Sequence, residues 1–203
     1  MKKAGNRPAF EEVFFLRTKD IALIALFAAQ VAILAQVAIP LPFSPVPITG
    51  QVLGVFLAGA VLGKKKGTLA IIVYLLLGVI GLPVFARGGS GPAVLAGPSG
   101  GYLWGFILGV YFMGLILERG QGEPGYGRLV AGMLACLGVV YCLGTFQLAY
   151  ILHLNLVKGL LLGVLPYIPL DMAKIFLAAA VGLKVRRALQ QAGYLAPGST
   201  SDC

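Results

Sequence analysis

Six long stretches of this sequence carry almost no charged residue, and they constrain the fold more than any other feature. They cover residues 20–39, 50–63, 68–86, 102–117, 129–152 and 167–183. A helix needs about 20 apolar residues to cross a bilayer, whereas a barrel strand needs only about 9–11. Helices also satisfy their own backbone hydrogen bonds in lipid. The lengths therefore predict an all-α membrane protein, a bundle of six transmembrane helices.

The composition agrees with a chain that lies in a lipid bilayer. It is 59% hydrophobic and 11% charged, whereas soluble domains have about 25% charged residues. The net charge of +9 would suit nucleic acid, but the charges gather at the ends of the apolar runs, as topology determinants do. We therefore expect no nucleic-acid partner. Three cysteines without ligand spacing and the single His153 predict no metal site, no cofactor and no catalytic cluster.

The distribution of Lys and Arg predicts the orientation in the membrane. In a six-span chain, 13 of the 16 basic residues lie on the side of the two termini, and only Arg87 and Lys158 lie opposite. Basic loops stay in the cytoplasm, so both termini are expected there. We divide the chain into a cytoplasmic N-terminal segment (1–18), a membrane domain (19–187) and a flexible C-terminal tail (188–203).

Asp171 and Lys174 are the charged pair inside the last apolar run. An ionised side chain inside a membrane helix costs about 2.5–3.5 kcal/mol, and such residues are usually functional. Residues three apart lie on one helix face. Pro169 suits the first helical turn, which places Asp171 near the positive end of the helix dipole. The pair is either a recognition surface for a ligand or simply a helix stabiliser with its neutralising neighbour.

Two loops on the outward side have unusual composition. Pro40, Pro42, Pro45 and Pro47 exclude a helix, and the uncharged segment around them is expected to be extended chain over the membrane face, as a lid or a stiff linker. The glycine-rich stretch 87–101 lacks the Gly-Lys-Ser/Thr ending and the strand-to-helix context of a phosphate loop. Its glycines allow tight folding or close approach to a ligand. Both loops can converge with Asp171 on one outward pocket.

Small residues mark two helix faces. Glycines 101, 105 and 109 form a stripe that favours close helix packing. In the first run, alanines recur at positions 22, 25, 28, 29 and 32, and Ala25 and Ala29 lie four apart. This alanine face serves either internal packing or docking to another membrane protein, and the sequence alone leaves both readings open.

Four motifs in order resemble one family. They are Ile39-Pro40-Leu41-Pro42 with Pro45-Val46-Pro47-Ile48-Thr49, then Gly81-Leu82-Pro83-Val84-Phe85-Ala86, then Gly97-Pro98-Ser99-Gly100-Gly101-Tyr102, and Pro166-Tyr167-Ile168-Pro169 with Asp171 and Lys174. Together they resemble BioY, the biotin-specific substrate-binding (S) component of energy-coupling factor (ECF) transporters. The resemblance covers residues 18–187.

This resemblance implies a transporter subunit, not an enzyme, in the plasma membrane of a prokaryote. Biotin would lie near the outer face under the outer loops, and its head group would contact Asp171 and Lys174. The face with Ala25 and Ala29 would dock onto the ECF coupling transmembrane subunit. Because this chain has no phosphate loop, active uptake would need the ATPase subunits as well. Whether the chain also works alone, as a homo-oligomer, stays open.

The ring of biotin carries two N–H donors and a carbonyl, and its apolar tail ends in a carboxylate. An ionised Asp171 accepts hydrogen bonds and Lys174 donates them. Apolar walls are expected from Phe43, Phe85, Tyr102 and Tyr167, which could equally be bundle packing. In place of the side-chain amide that the family implies, Ser90, Ser99, Tyr102 or backbone groups are the candidates. Arg87 either meets the carboxylate or faces water.

Other functions compete with biotin capture. An S component for another vitamin is the alternative within the same class. A small membrane enzyme would need a nucleophile with its base, or a metal cluster. A purely structural scaffold would not need the charged pair.

Overall fold

The computed structural model describes residues 17–119 and 122–195. These residues form seven α-helices and a two-stranded β-hairpin: α1 (Thr18–Gln36), β1 (Ala38–Leu41), β2 (Ser44–Thr49), α2 (Gln51–Val79), α3 (Pro92–Ala96), α4 (Gly100–Glu118), α5 (Tyr126–Ile151), α6 (Leu156–Gly163) and α7 (Ile168–Gln191). A 3₁₀ turn, Ala86–Gly88, precedes α3. Nearly all of the predicted N-terminal segment, and residues 196–203 of the predicted tail, lie outside the described residues.

Several helices are suited to a membrane. Among the described residues, α1, α4 and α5 are each long and apolar enough to cross one, and the pair α6 and α7, which meet at 54°, adds a fourth if it forms one broken span. Their outward faces carry large exposed apolar side chains, such as Ile33 of α1 and Phe146 of α5. The coarse prediction of a mainly helical membrane protein is therefore confirmed.

Helix α2 folds back on itself at Gly63. Gly63 has φ 76° and ψ −167°, which is not helical and which glycine adopts without a steric penalty. The amide of Gln51 donates to the hydroxyl of Tyr74 at 2.6 Å, although 23 residues of straight helix would span about 34 Å. Residues 51–62 and 64–79 are thus two antiparallel arms. The predicted basic turn at 64–66 is the first turn of the second arm.

Both described ends of the chain lie at the same end of the bundle. Lys19 donates to the carbonyl of Gly193 at 3.4 Å and lies 5.2 Å above the ring of Tyr194. The bend of α2 is tied to the same end, because Lys66 pairs with Asp20 at 2.7 Å. A second ion pair, between Lys64 and Glu118 at 2.6 Å, joins the bend to α4. Lys19, Lys64 and Lys66 therefore lie at the same end of the bundle.

The proline-rich segment corrects the prediction of an all-α fold. It forms the antiparallel pair β1–β2, with Ala38 opposite Thr49 and an irregularity between Ile39 and Leu41. Proline has φ near −65° and no N–H group, so it is excluded from helices but accepted at the edge of a sheet. The hairpin lies at the end of the bundle opposite the chain ends, as the predicted extended cover requires.

The remaining differences concern element ends. The third apolar run leaves the helix at Val79, seven residues before its predicted end, because the loop that follows turns inward at Phe85. The short helix α3 was not predicted. Helix α7 continues to Gln191, so residues 188–191 are helical and the predicted boundary at residue 187 falls inside a helix.

The glycine stripe of α4 packs against α5. A Cβ atom placed on Gly101 would overlap the carbonyl oxygen of Leu143, and one placed on Gly105 would lie 2.8 Å from the Cα of Val140. At Gly109 the obstacle is the sulfur of Cys136, at 2.7 Å. Because backbone atoms cannot move aside separately, any side chain at Gly105 must push the two helices apart. This confirms the predicted role of the stripe.

We predict that Gly105→Ala lowers the free energy of unfolding by about 1–3 kcal/mol, the usual cost of overpacking. A thermal unfolding scan of the purified protein in detergent measures the effect. Gly138→Ala is the matched control, because a methyl group on Gly138 of α5 would have no neighbouring heavy atom within 4 Å among the described residues, and alanine favours helix there. Equal midpoints for the two variants would contradict close contact at Gly105.

Candidate functional site

A cavity of about 190 Å³ lies between the β-hairpin and the bundle. Its walls come from the hairpin, the start of α2, the loop before α3, α3 with the turn after it, and helices α4, α5 and α7. The lining residues are Pro45, Val46, Pro47, Thr49, Gln51, Val52, Phe85, Ala86, Arg87, Val94, Ser99, Tyr102, Leu103, Phe106, Val140, Tyr141, Tyr167, Asp171 and Lys174. The cavity is mostly apolar with a few polar groups, which is typical of a small-molecule site.

The pair Asp171 and Lys174 lies in the cavity wall. Helix α7 begins at Ile168 with Pro169 in its first turn, as predicted. Asp171 is 3% exposed, and Lys174 donates to its Oδ1 at 2.7 Å. Lys174 also donates to the backbone carbonyl of Thr49 at 2.8 Å. The predicted charged pair is therefore an ion pair that is also bonded to the hairpin.

Tyr141 of α5 completes the contacts of Asp171, and sequence reasoning missed it. Its hydroxyl donates to Oδ2 of Asp171 at 2.7 Å, so both carboxylate oxygens are hydrogen-bonded. This arrangement satisfies the buried charge, which would otherwise carry a large desolvation penalty. Tyr141 is one of several aromatic residues in the fifth apolar run, and nothing local in the sequence distinguishes it.

Tyr167 holds the hairpin over the cavity. Its hydroxyl donates to the backbone carbonyl of Val46 and lies 3.0 Å from the hydroxyl of Ser44. Tyr167 is 7% exposed and Ser44 is 8% exposed. The predicted wall residue therefore has a second role, because it links the start of α7 to β2.

Gln51 supplies a side-chain amide at the cavity. It is 5% exposed, its nitrogen donates to Tyr74 at 2.6 Å, and its oxygen accepts from the hydroxyl of Thr49 at 3.0 Å. Tyr74 in turn donates to the carbonyl of Val84 at 3.2 Å. Sequence reasoning expected an amide near the third and fourth helices and missed Gln51, which the fold of α2 at Gly63 brings there.

Phe85 and Tyr102 line the cavity and also pack within the bundle. Phe85 is 1% exposed and meets Tyr74 edge to face, with ring centres 5.7 Å apart. Its ring also occupies the space where a side chain at Gly78 would lie. The hydroxyl of Tyr102 donates to the carbonyl of Gly163 at 2.8 Å. Contacts with neighbouring helices therefore hold both rings in place in the cavity wall.

Of the other predicted ligand residues, some line the cavity and some do not. Arg87 lines the cavity and is exposed, so it lies at the opening. Phe43 is 54% exposed at the tip of the hairpin, and Ser90 lies in the next loop; neither lines the cavity. Ser99, one of the proposed substitutes for an amide, does line it. Phe43, predicted as a wall residue, therefore lies outside the cavity wall in this structure.

The predicted docking face lies on the outside of α1. Ala22, Ala25 and Ala29 are exposed, whereas Ala28 is buried against the bundle. One side of the alanine-rich helix therefore packs internally, and the side with Ala25 and Ala29 has no covering element within residues 17–119 and 122–195.

The fold and the cavity together define a helical membrane protein with a partly polar, partly apolar cavity of small-molecule size at one end of its bundle. A sequence model of the BioY family matches residues 3–191. The chain therefore belongs to the BioY family, which confirms the resemblance found in the motifs.

Several relatives and a solved structure are similar to this chain over most of their own length. The biotin transporter BioY of Thermotoga maritima is 43% identical over 169 residues, covering 83% of this chain and 96% of the relative. The biotin transporter BioY of Rhizobium etli is 40% identical over 84% of this chain and 94% of the relative. The crystal structure of the S-component for biotin from an ECF-type ABC transporter matches with a TM-score of 0.77 and 28% identity, covering 90% of this chain and 95% of that one.

We predict that Tyr141→Phe lowers the free energy of unfolding by about 1–3 kcal/mol, because it leaves one oxygen of a buried carboxylate without its partner. Thermal unfolding of the ligand-free protein in detergent measures the change. Tyr111→Phe is the control, because Tyr111 is 42% exposed on α4 and its hydroxyl makes no hydrogen bond within the described residues. Equal midpoints for wild type and Tyr141→Phe would show that the bond to Asp171 contributes nothing.

Proposed function

We propose that this chain captures biotin at the outer membrane face as the S component of an ECF transporter. The observation that carries the proposal is Asp171, a buried carboxylate that faces the cavity with both oxygens fixed. The names of the relatives and of the similar crystal structure support biotin as the ligand.

The polar end of the cavity matches the ring of biotin. Each carboxylate oxygen of Asp171 keeps a free lone pair for a ring N–H group. Lys174 has three N–H groups and uses two, on Asp171 and on the carbonyl of Thr49, so the third is free for the ring carbonyl. Gln51 likewise keeps one N–H group beyond its bond to Tyr74. A ligand without these groups would leave buried polar atoms unpaired, which is the strongest basis for selectivity.

The rest of the cavity matches the apolar sulfur-containing ring and the alkyl tail of biotin. Phe85, Tyr102 and Phe106 provide buried aromatic surface. Arg87 lies at the opening, and none of the ion pairs within residues 17–119 and 122–195 includes it. We assign it to the ligand carboxylate, because guanidinium and carboxylate groups pair well.

We further propose six membrane spans with both termini in the cytoplasm of a prokaryotic cell. The spans are α1, the two arms of α2, α4, α5 and α7, within the predicted membrane domain 19–187. Supporting this, the described ends and the ion pairs of the α2 bend share one end of the bundle, and the cavity lies at the other. The basic side then faces inward, as the positive-inside rule requires.

The proposed partners are the ECF coupling transmembrane subunit and the ATPase subunits. The exposed side of α1 with Ala25 and Ala29 is the proposed docking surface for the coupling subunit, because small residues let two membrane helices approach closely. The ATPase subunits would supply the energy for uptake.

Equilibrium binding of labelled biotin to the purified chain in detergent tests the proposed function. We expect saturable binding at one site per chain that excess unlabelled biotin displaces. Thiamine and riboflavin should not compete. Lipoic acid, which has a similar acid tail but no ring N–H groups, should compete poorly. Displacement by thiamine or riboflavin in a folded preparation would move the assignment to another vitamin.

We predict that Asp171→Asn weakens biotin binding by about 10- to 150-fold, because hydrogen bonds to a charged group contribute about 1.5–3 kcal/mol. The same labelled-biotin titration measures it. Asp20→Asn is the matched control, because Asp20 is also a buried acid paired with a lysine at 2.7 Å but lies at the opposite end of the bundle. Unchanged affinity in Asp171→Asn would remove Asp171 from the ligand site.

We predict that Ala25→Trp or Ala29→Trp reduces biotin uptake at least tenfold in cells that supply the ECF partners, because an indole ring prevents close helix contact. Binding of biotin to the purified variants should be unchanged, since this face is remote from the cavity. Ala180→Trp is the control, since Ala180 is exposed on α7. Normal uptake by both α1 variants would exclude this docking surface.

A further inference from the structure

Gln36, the last residue of α1, bonds to the loop that forms one wall of the cavity. Its side-chain nitrogen shares its two N–H groups among three carbonyls, those of Pro83 and Phe85, both at 3.3 Å, and that of Ala32 at 3.2 Å. Its side-chain oxygen accepts from the backbone N–H of Gly88 at 3.1 Å. A single amide therefore holds the backbone of residues 83–88 at three points.

The held segment contains a strained residue. Arg87 has φ 60° and ψ 31°, a left-handed conformation that is uncommon for residues other than glycine. The bonds from Gln36 to Phe85 and Gly88 lie on either side of it. Such strain persists only where the surroundings impose it, and it gathers at ligand clamps and switch regions. The contacts of Gln36 are part of what imposes it here.

The same segment lines the cavity. Phe85, Ala86 and Arg87 all contribute to the wall, and Phe85 anchors the segment to α2. The hydroxyl of Tyr74, which donates to the carbonyl of Val84 at 3.2 Å, also ties the segment to α2.

A further anchor is Gln36, which belongs to α1, a helix that packs on α2. In the part of the chain that the structure describes, no other side chain of α1 hydrogen-bonds residues 80–91. A displacement of the end of α1 therefore reaches the cavity wall through Gln36.

We propose that Gln36 is a positioning residue: it latches the 83–88 segment closed over the bound ligand and so sets how long the ligand stays. The proposal rests on the proposed function, because it concerns the biotin site. It also follows that the latch and the proposed docking surface lie on one helix. A partner that moves α1 would loosen the latch without touching the ligand.

The test is the dissociation rate of labelled biotin from the purified full chain, followed after adding excess unlabelled biotin. We expect Gln36→Ala to raise this rate about tenfold, which corresponds to about 1.4 kcal/mol. Gln36→Glu, which keeps the acceptor for Gly88 but loses both N–H donors, should also release biotin faster. The unfolding midpoint without ligand should change little, since Gln36 is exposed.

Gln30→Ala is the matched control. Gln30 lies on the same helix, and its side chain makes no hydrogen bond within residues 17–119 and 122–195. Biotin should therefore leave the Gln30→Ala variant at the same rate as it leaves the wild type. Equal rates in wild type and both Gln36 variants would overturn the latch and leave the proposed function intact. Absence of saturable binding in the wild type would overturn the proposed function, and the latch with it.

A second measurement tests the link to docking. Reconstitution with the coupling subunit should speed biotin release from the wild type toward the rate of Gln36→Ala, and should leave the rate of that variant nearly unchanged. Equal acceleration of both proteins would show that docking acts on the site by another route.

Discussion

The carboxylate of Asp171 imposes the strongest physical constraint on this structure, because a charge buried among apolar helices must be fully partnered. Its oxygens accept from Lys174 of the same helix and from Tyr141 of α5, both at 2.7 Å. Lys174 extends the contact to the hairpin through the carbonyl of Thr49. Leaving such a charge unpaired costs several kcal/mol. One acid therefore fixes α5, α7 and the hairpin relative to each other.

Features that depend on nearby residues could be predicted from the sequence, and features that depend on chain folding could not. The pair Asp171 and Lys174 stood out because spacing and the cost of charge in lipid are local properties. Tyr141 reaches the cavity only through the packing of α5, and Gln51 meets its partner Tyr74 only through the fold of α2 at Gly63. Nothing in their neighbourhoods marks them.

Errors in the prediction have the same physical origin. The prolines correctly excluded a helix between α1 and α2, but they did not reveal that the segment pairs with itself, because strand pairing depends on partners and register. Phe43 was predicted as an apolar wall residue, yet it lies in the hairpin turn, where it is 54% exposed and does not line the cavity. The composition of the proline-rich segment predicted extended chain over the bundle, but it did not predict which of its side chains line the cavity.

The prolines of the hairpin have a consequence for its behaviour beside other proteins. A two-stranded sheet has two free edges, which can recruit strands from neighbouring copies and begin aggregation. Pro40 in β1 and Pro45 and Pro47 in β2 remove backbone donors from these strands, and proline is tolerated only where its missing N–H faces away from the partner. The hairpin is thus a sheet that cannot readily gain further strands, which suits an exposed element at the end of a membrane bundle.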